Sequence, residues 1–236
     1  MAIFQAFRAL RPVPDKAEAV AALPYDVVSR EEAKEIGDQN PDSFLHVDRA
    51  EMDLPADTDL YDQKVYDRAR ENLINMEKNG ILVQDGAPCY YIYELTLKGK
   101  TQTGLVGCCS IDDYMNGVVK KHELTREDKE QDRIHHVDVC DANTGPIYLA
   151  CKYPQELLDL METWKASHDA VYDFVAEDEI GHRVWVIDGE VEKKVIAEQF
   201  GNIPSIYIAD GHHRAASAVK VGLKRREEHP DYDGSE

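Results

Sequence analysis

Between residues 60 and 79 the apolar positions Tyr61, Val65, Tyr66, Ala69, Leu73 and Met76 recur three and four apart. That period predicts a helix with one buried face, with Asp59 as its N-cap and Gly80 as its terminator. Earlier in the chain, residues 3–10 alternate as a strand that Pro12 and Pro14 end. Residues 15–23 form a short helix closed by Pro24, and Ser29 with Glu32 makes a capping box before a helix over 30–37. Residues 40–59, rich in acidic side chains and holding Pro41 and Pro55, read as a surface loop.

The pattern then changes to strand character. Residues 89–97 are aromatic and β-branched, Lys98-Gly99-Lys100 is a turn, and residues 103–111 are the hairpin partner. This hairpin would begin a mixed sheet. Thr125-x-x-Asp128 is a cap for a charged helix over 126–139. Next come a strand at 147–151, a helix at 154–166 with Pro154 at its start, strands at 170–176 and 182–187, and a helix at 191–200. The apolar stretch Ile203-Pro204-Ser205-Ile206-Tyr207-Ile208 is a buried-type strand, followed by Ala209-Asp210-Gly211-His212-His213-Arg214 and a strongly helical run. The reading is α+β: a mixed β-sheet with flanking helices in one unit over 1–226, with room for a small N-terminal lobe, and a polar tail at 227–236.

Length and composition narrow the function. The chain has 236 residues and is 43% hydrophobic, enough to bury a core, and its formal charge of −19 would repel a phosphate backbone. No nucleic-acid partner is expected. No run is long and apolar enough for a membrane span, and the start lacks a signal-peptide layout, so no membrane association and a cytoplasmic location are expected. Homo-oligomerisation is left open. The five cysteines form no Cys-x-x-Cys pair and read as reduced core thiols.

The 206–220 stretch is the strongest candidate for chemistry. A strand, a glycine turn and a helix start leave free backbone N–H groups around an opening, which suits an anion. Gly211 allows close backbone approach, and His212, His213 and the fork of Arg214 add donors for phosphate or carboxylate oxygens. Asp210 would cap the helix, fix a histidine tautomer or bind Mg²⁺. The alternative is simple capping, with the basic residues decorating a helix start.

A second dense segment is Lys121-His122-Glu123-Leu124-Thr125. His122 and Glu123 supply a base and an acid or metal ligand, and Lys121 a positive charge, although a solvated helix start would look the same. It is not a His-Glu-x-x-His zinc pattern, because Arg126 stands where the second histidine would be. His135 and His136 point too far apart to chelate one ion. Asn143-Thr144-Gly145-Pro146-Ile147 reads as an ordinary turn, and Pro24-Tyr25-Asp26 matters only if it faces the Asp210 loop.

Together, Leu23-Pro24-Tyr25-Asp26-Val27-Val28, Lys121 to Thr125, Asp132-Arg133-Ile134, Ala142 to Ile147 and Ala209 to Arg214 resemble the boxes of an uncharacterised prokaryotic family, domain-of-unknown-function family 1015. Members of that family continue further, which would make Glu236 a truncation point. The box Gly211, His213 and Arg214 is also similar to the phosphate-binding box of the ParB and sulfiredoxin superfamily, which includes kinases acting on free serine. That likeness implies a phosphate-binding core and a nucleotide phosphate at the helix start. Sulfiredoxin chemistry would need a cysteine at the box, and there is none.

The function expected from these residues and this resemblance is a small-molecule kinase that binds ATP or ADP with Mg²⁺ and phosphorylates a hydroxyl metabolite such as free serine. Gly211, His212, His213, Arg214 and Lys121 would hold the nucleotide. Glu123 or Asp210 would accept the hydroxyl proton with the other on Mg²⁺, and His122 would position or protonate. The rivals are a nucleotide or phosphate-ligand binding module without turnover, and a metal-dependent hydrolase using His122, Glu123 and His212. The kinase reading requires residues 210–214 and 121–125 to share an open cavity, and an Arg214 guanidinium locked inside an internal ion pair would end it.

Overall fold

The structure is a computed structural model and describes residues 2–123 and 126–231. The described chain divides into two compact units, each assembled from three separate stretches.

The first unit comprises residues 1–21, 79–118 and 151–206. Its centre is an antiparallel sheet in the order β5 (Lys100–Val106), β4 (Tyr90–Leu97), β10 (Gly181–Ile187), β9 (Tyr172–Val175). The expected hairpin is β4–β5, and its loop is Lys98 and Gly99, at φ 50° and 75°. Two left-handed residues make the tight turn that matches strand twist. Each pairing in this sheet is antiparallel. The strand expected over 103–111 breaks at Gly107, where a Cβ would lie 2.6 Å from the Phe4 ring. Beyond the break β6 (Cys108–Cys109) pairs with β1 (Phe4–Gln5), and β2 (Leu10–Pro12) pairs with β3 (Leu82–Gln84). Helices α1 (Ala17–Val20), α5 (Ile111–Met115), α7 (Gln155–Ser167) and α8 (Glu190–Gly201) complete the unit. Phe4, stacked between Tyr90 and Phe200, ties β1 to β4 and α8.

The second unit comprises residues 22–78, 119–150 and 207–236. Its helices are α2 (Arg30–Gln39), α3 (Leu45–Asp48), α4 (Gln63–Lys78), α6 (Glu127–Cys140) and α9 (His212–Glu228). A small sheet runs in the order β7 (Val119–Lys120), β11 (Ile206–Asp210), β8 (Tyr148–Ala150). The capping box of α2 is formed as expected, with the Ser29 hydroxyl accepting from Glu32 N–H and Glu32 Oε2 accepting from Ser29 N–H. Helix α4 starts later than its periodicity suggests, and Asp62 rather than Asp59 accepts from the N–H of Lys64. The cap expected from Thr125 falls outside the described residues.

Residues 40–59 are not a surface loop, since Leu45, Val47, Ala50 and Met52 are buried. Their helical turns are too short for a period to show among the acidic residues. Helices α6 and α9 are cross-linked by Lys220 with Glu130, Lys224 with Asp138 at 2.6 Å, and Arg225 with Asp141 at 2.6 Å. The Ser217 hydroxyl, fully buried, donates to the carbonyl of His213 at 2.7 Å and lies 3.3 Å from that of Glu130.

The chain is α+β, with several small sheets and, among the described residues, no closed barrel. All five cysteines are free thiols; Cys89 and Cys140 are buried, but Cys108 is exposed and is not a core thiol. Among the described residues no helix is long and apolar enough to cross a membrane.

Candidate functional site

Strand β11 ends at Asp210, and the chain turns into the 17-residue helix α9 through Gly211 at φ 85°, ψ 35°. A side chain there would be strained, and its Cβ would meet the Arg214 guanidinium at about 3.0 Å. Gly211 is the N-cap, no side chain among the described residues caps α9, and the first helical bond runs from Ala215 N–H to the Gly211 carbonyl. Asp210 is therefore not the cap that would have explained it. The first-turn N–H groups and the positive end of the helix dipole lie at this opening.

Arg214 projects back over that turn. Its Nη1 donates to the Pro146 carbonyl at 2.6 Å and its Nη2 to Asp210 Oδ2 at 2.6 Å. The segment read as an ordinary turn thus seats an arginine: a Cβ on Gly145 would lie 3.2 Å from Arg214 Nη1. The guanidinium is not the free fork expected from the sequence. It is paired with Asp210, whose side chain is 69% exposed, so the pair stands open to solvent and is not locked inside.

The two histidines differ in their surroundings. His213 Nε2 accepts from the N–H of Arg126 at 3.1 Å, which leaves its proton on Nδ1 and links the starts of α9 and α6. His212 is 7% exposed, and its Nε2 is buried with no hydrogen-bond partner among the described residues. Glu123 Oε2 lies 3.7 Å from His212 Nδ1, and the His122 ring meets that of His212 edge-on at 4.5 Å.

Tyr25 and Asp26 complete the lining. They stand in a turn closed by Val27 N–H to the Pro24 carbonyl at 3.1 Å. The Arg133 guanidinium stacks on the Tyr25 ring at 4.2 Å and pairs with Asp132 at 2.9 Å. Asp132 also accepts the Tyr66 hydroxyl at 3.0 Å, and Arg49 donates to the Tyr25 and Val28 carbonyls at 2.7 Å. Burial raises the Tyr25 phenol above its ordinary pKa, and Arg133 pulls the other way.

The resulting cavity, of about 210 Å³, is lined by Tyr25, Asp26, Glu123, Asp210, Gly211, His212, His213 and Arg214. Glu123, Asp210, Gly211, His212, His213 and Arg214 are thus brought together as the sequence suggested, and the lining does not include Lys121 or His122. His122 borders the lining through the ring of His212 and through Glu123, whose Oε1 lies 3.9 Å from His122 Nε2, and Lys121 follows β7 in an exposed position. Asp26 faces the Asp210 loop, the condition under which its turn mattered. Arg133, Arg49 and Gly145 were not singled out from the sequence as site residues. Arg133 and Gly145 lie inside two of the boxes and Arg49 lies in none, and spacing alone reveals the chemistry of none of the three.

Three carboxylates surround one arginine, which is itself paired, so the lining is negative before any ligand enters. Hard oxygen donors of this kind fit Mg²⁺, which commonly takes one or two carboxylates and completes its shell with phosphates and water. No three His, Cys, Asp or Glu side chains converge on one point among the described residues.

The first unit holds a further cavity, of about 260 Å³, lined by Glu94, Glu162, Lys165, Ala166, Arg183 and Trp185. Its charges satisfy one another. Lys165 donates to Glu94 Oε2 at 2.9 Å, the Thr103 hydroxyl donates to the same oxygen at 3.1 Å, and Arg183 stacks on Trp185 at 4.7 Å. Burial works to raise the Glu94 carboxyl, but the bonds from Lys165 and Thr103 outweigh it and hold the carboxyl below its ordinary pKa.

A family model described as "Protein of unknown function (DUF1015)" matches residues 4–236. The five segments that carry the likeness all belong to the second unit, the one that holds the 210 Å³ cavity. No curated protein and no solved structure matches the chain.

Proposed function

We propose that this chain, which belongs to the DUF1015 family, binds the phosphate end of a nucleotide at the start of α9 and transfers a phosphoryl group to a small hydroxyl metabolite. The observation that carries this reading is the uncapped, glycine-opened start of α9 inside a cavity that also contains Asp26 and Glu123. A helix N-terminus offers N–H groups and a positive dipole end to phosphate oxygens, and Gly211 lets them approach the backbone. A cavity of about 210 Å³ is below the roughly 300–1,000 Å³ of a drug-sized pocket. It suits a phosphate end and a small acceptor rather than a whole nucleotide. Free serine is the acceptor suggested by likeness to superfamily kinases, and the residues themselves ask only for a hydroxyl.

Glu123, exposed at the rim and within 3.7 Å of His212, is placed to accept the acceptor's proton. His212 orients that carboxylate, and His122 packs on His212 from the outer side. Asp210 and Asp26 are the carboxylates that would hold Mg²⁺, which when bound would offset charge on the phosphates. Arg214 would neutralise the transferring group once released from Asp210.

Thermal shift with ATP or ADP and Mg²⁺ tests the binding step. A ligand at a hundred times its dissociation constant adds about 2.7 kcal/mol, which for a chain of this size raises Tm by roughly 5–10 °C. Glu123→Gln then separates a kinase from a binding module. A kinase loses turnover and keeps nucleotide, whereas a binding module transfers no phosphate before or after the change.

A further inference from the structure

Asp210 is adjacent to the site yet does none of the structural work usual at that position. It does not cap α9, because Gly211 is the N-cap and, among the described residues, no side chain bonds to the helix start. Its carboxylate instead bonds the guanidinium of Arg214, four residues on.

The two partners are held unequally. Arg214 is 19% exposed in its side chain, anchored through Nη1 to the Pro146 carbonyl and laid against Gly145 and Gly211. Asp210 is 69% exposed, so water can take over its hydrogen bonds if it lets go. The pair spans the N-cap, which puts a carboxylate at the end of the helix where an anion is favoured.

We propose that the Asp210 carboxylate is a built-in stand-in for the ligand's phosphoryl oxygens, holding Arg214 until an incoming phosphate displaces it. The inference rests on the reading of the α9 start as the phosphate site. Exchange keeps the half-buried guanidinium paired at every stage, so the arginine is never left without a counter-charge. A phosphate makes the exchange favourable because it reaches the first-turn N–H groups as well as the guanidinium, which the tethered carboxylate does not. Asp210 thereby acts as an internal competitor, and its removal strengthens anion binding. If Asp210 merely braced Arg214 for a ligand bound beside it, removal would weaken binding. The two accounts differ in sign.

The test is calorimetric titration of the full chain with pyrophosphate in a buffer containing EDTA, so that no divalent cation contributes. Asp210→Asn is expected to bind about tenfold more tightly, the scale of one hydrogen bond to a charged group released for the ligand. Asp210→Ala should do the same, which removes any contact peculiar to the asparagine. Glu127→Gln deletes an equal charge from the exposed first turn of α6, outside the cavity lining, and is expected to change affinity less than about threefold, as for a solvent-screened charge. The gain should vanish in Asp210→Asn with Arg214→Ala, which should match Arg214→Ala alone. Unchanged or weaker binding by both Asp210 variants, with wild-type affinity dependent on Arg214, would overturn the exchange and leave the phosphate site standing. An equal gain in Glu127→Gln would overturn it too, by showing a general charge effect. Wild-type binding indifferent to Arg214→Ala would remove the site reading and this inference together.

Discussion

Arg133→Met should destabilise the second unit by breaking the brace behind the Tyr25–Asp26 turn. The Arg133 and Asp132 side chains are 10% and 11% exposed, with Arg133 Nε and Nη2 both 2.9 Å from Asp132 Oδ2. Removing one member of such a pair leaves the other charge buried, at a cost of about 3–5 kcal/mol, and the lost stack on Tyr25 falls within that range. Asp132 keeps the Tyr66 hydroxyl, which places the loss near the lower end, about 3 kcal/mol, or roughly 6–12 °C in Tm. Neutralising the stranded carboxylate as well, in Asp132→Asn with Arg133→Met, retains an acceptor for Tyr66 and should recover about half of the loss. Urea unfolding read by far-UV circular dichroism follows α4, α6 and α9, whereas Trp164 and Trp185 both belong to the first unit. A loss under about 1 kcal/mol, or a double variant as unstable as the single one, would refute the reasoning that a desolvated charge is at stake.

Gly211→Ala should cost about 1–2 kcal/mol from its left-handed backbone and should also weaken phosphate binding, since the new Cβ meets the guanidinium; denaturant midpoints and pyrophosphate titration check both. Ser29→Ala, which removes one side of the α2 capping box, should lower stability by about 1 kcal/mol in the same urea experiment, without altering pyrophosphate affinity. His136 is 3% exposed, and burial holds its pKa below the ordinary 6.5. The unfolded chain therefore binds a proton that the folded chain does not, so the stabilisation is complete above about pH 6.5 and drains away as pH falls through the lower folded value. The advantage of wild type over His136→Gln should accordingly shrink between pH 7 and pH 5.5 in urea midpoints, and an advantage that grows would contradict the burial argument.

What the sequence disclosed and what it hid follow from the range of the interactions. Helices α4 and α2 and the β4–β5 hairpin depend on local period, a capping box and a two-residue turn, all written in adjacent residues. Residues 40–59 were misread because α3 and its following turn bury Leu45 and Val47 through contacts with distant elements. The strand over 103–111 was overextended because the reason for its break is a ring from the chain's start, Phe4, packed on Gly107. At the site, the Gly211 turn was legible because a strand, a glycine and a helix follow one another directly. The pairing of Arg214 with Asp210 was not, since an i,i+4 spacing across an N-cap does not reveal which anion the arginine holds. Nor does spacing reveal that Gly145 and Pro146 seat that arginine from 68 residues away.

The central claim is that phosphate oxygens bind at the opening of α9. Amide chemical shifts of the ¹⁵N-labelled chain, followed during titration with pyrophosphate, address it residue by residue. The account predicts saturable shifts that are largest at Gly211, His212 and His213, with smaller ones at Asp26 and Glu123. Largest shifts around Lys165 and Arg183 instead, or none at the start of α9, would contradict it.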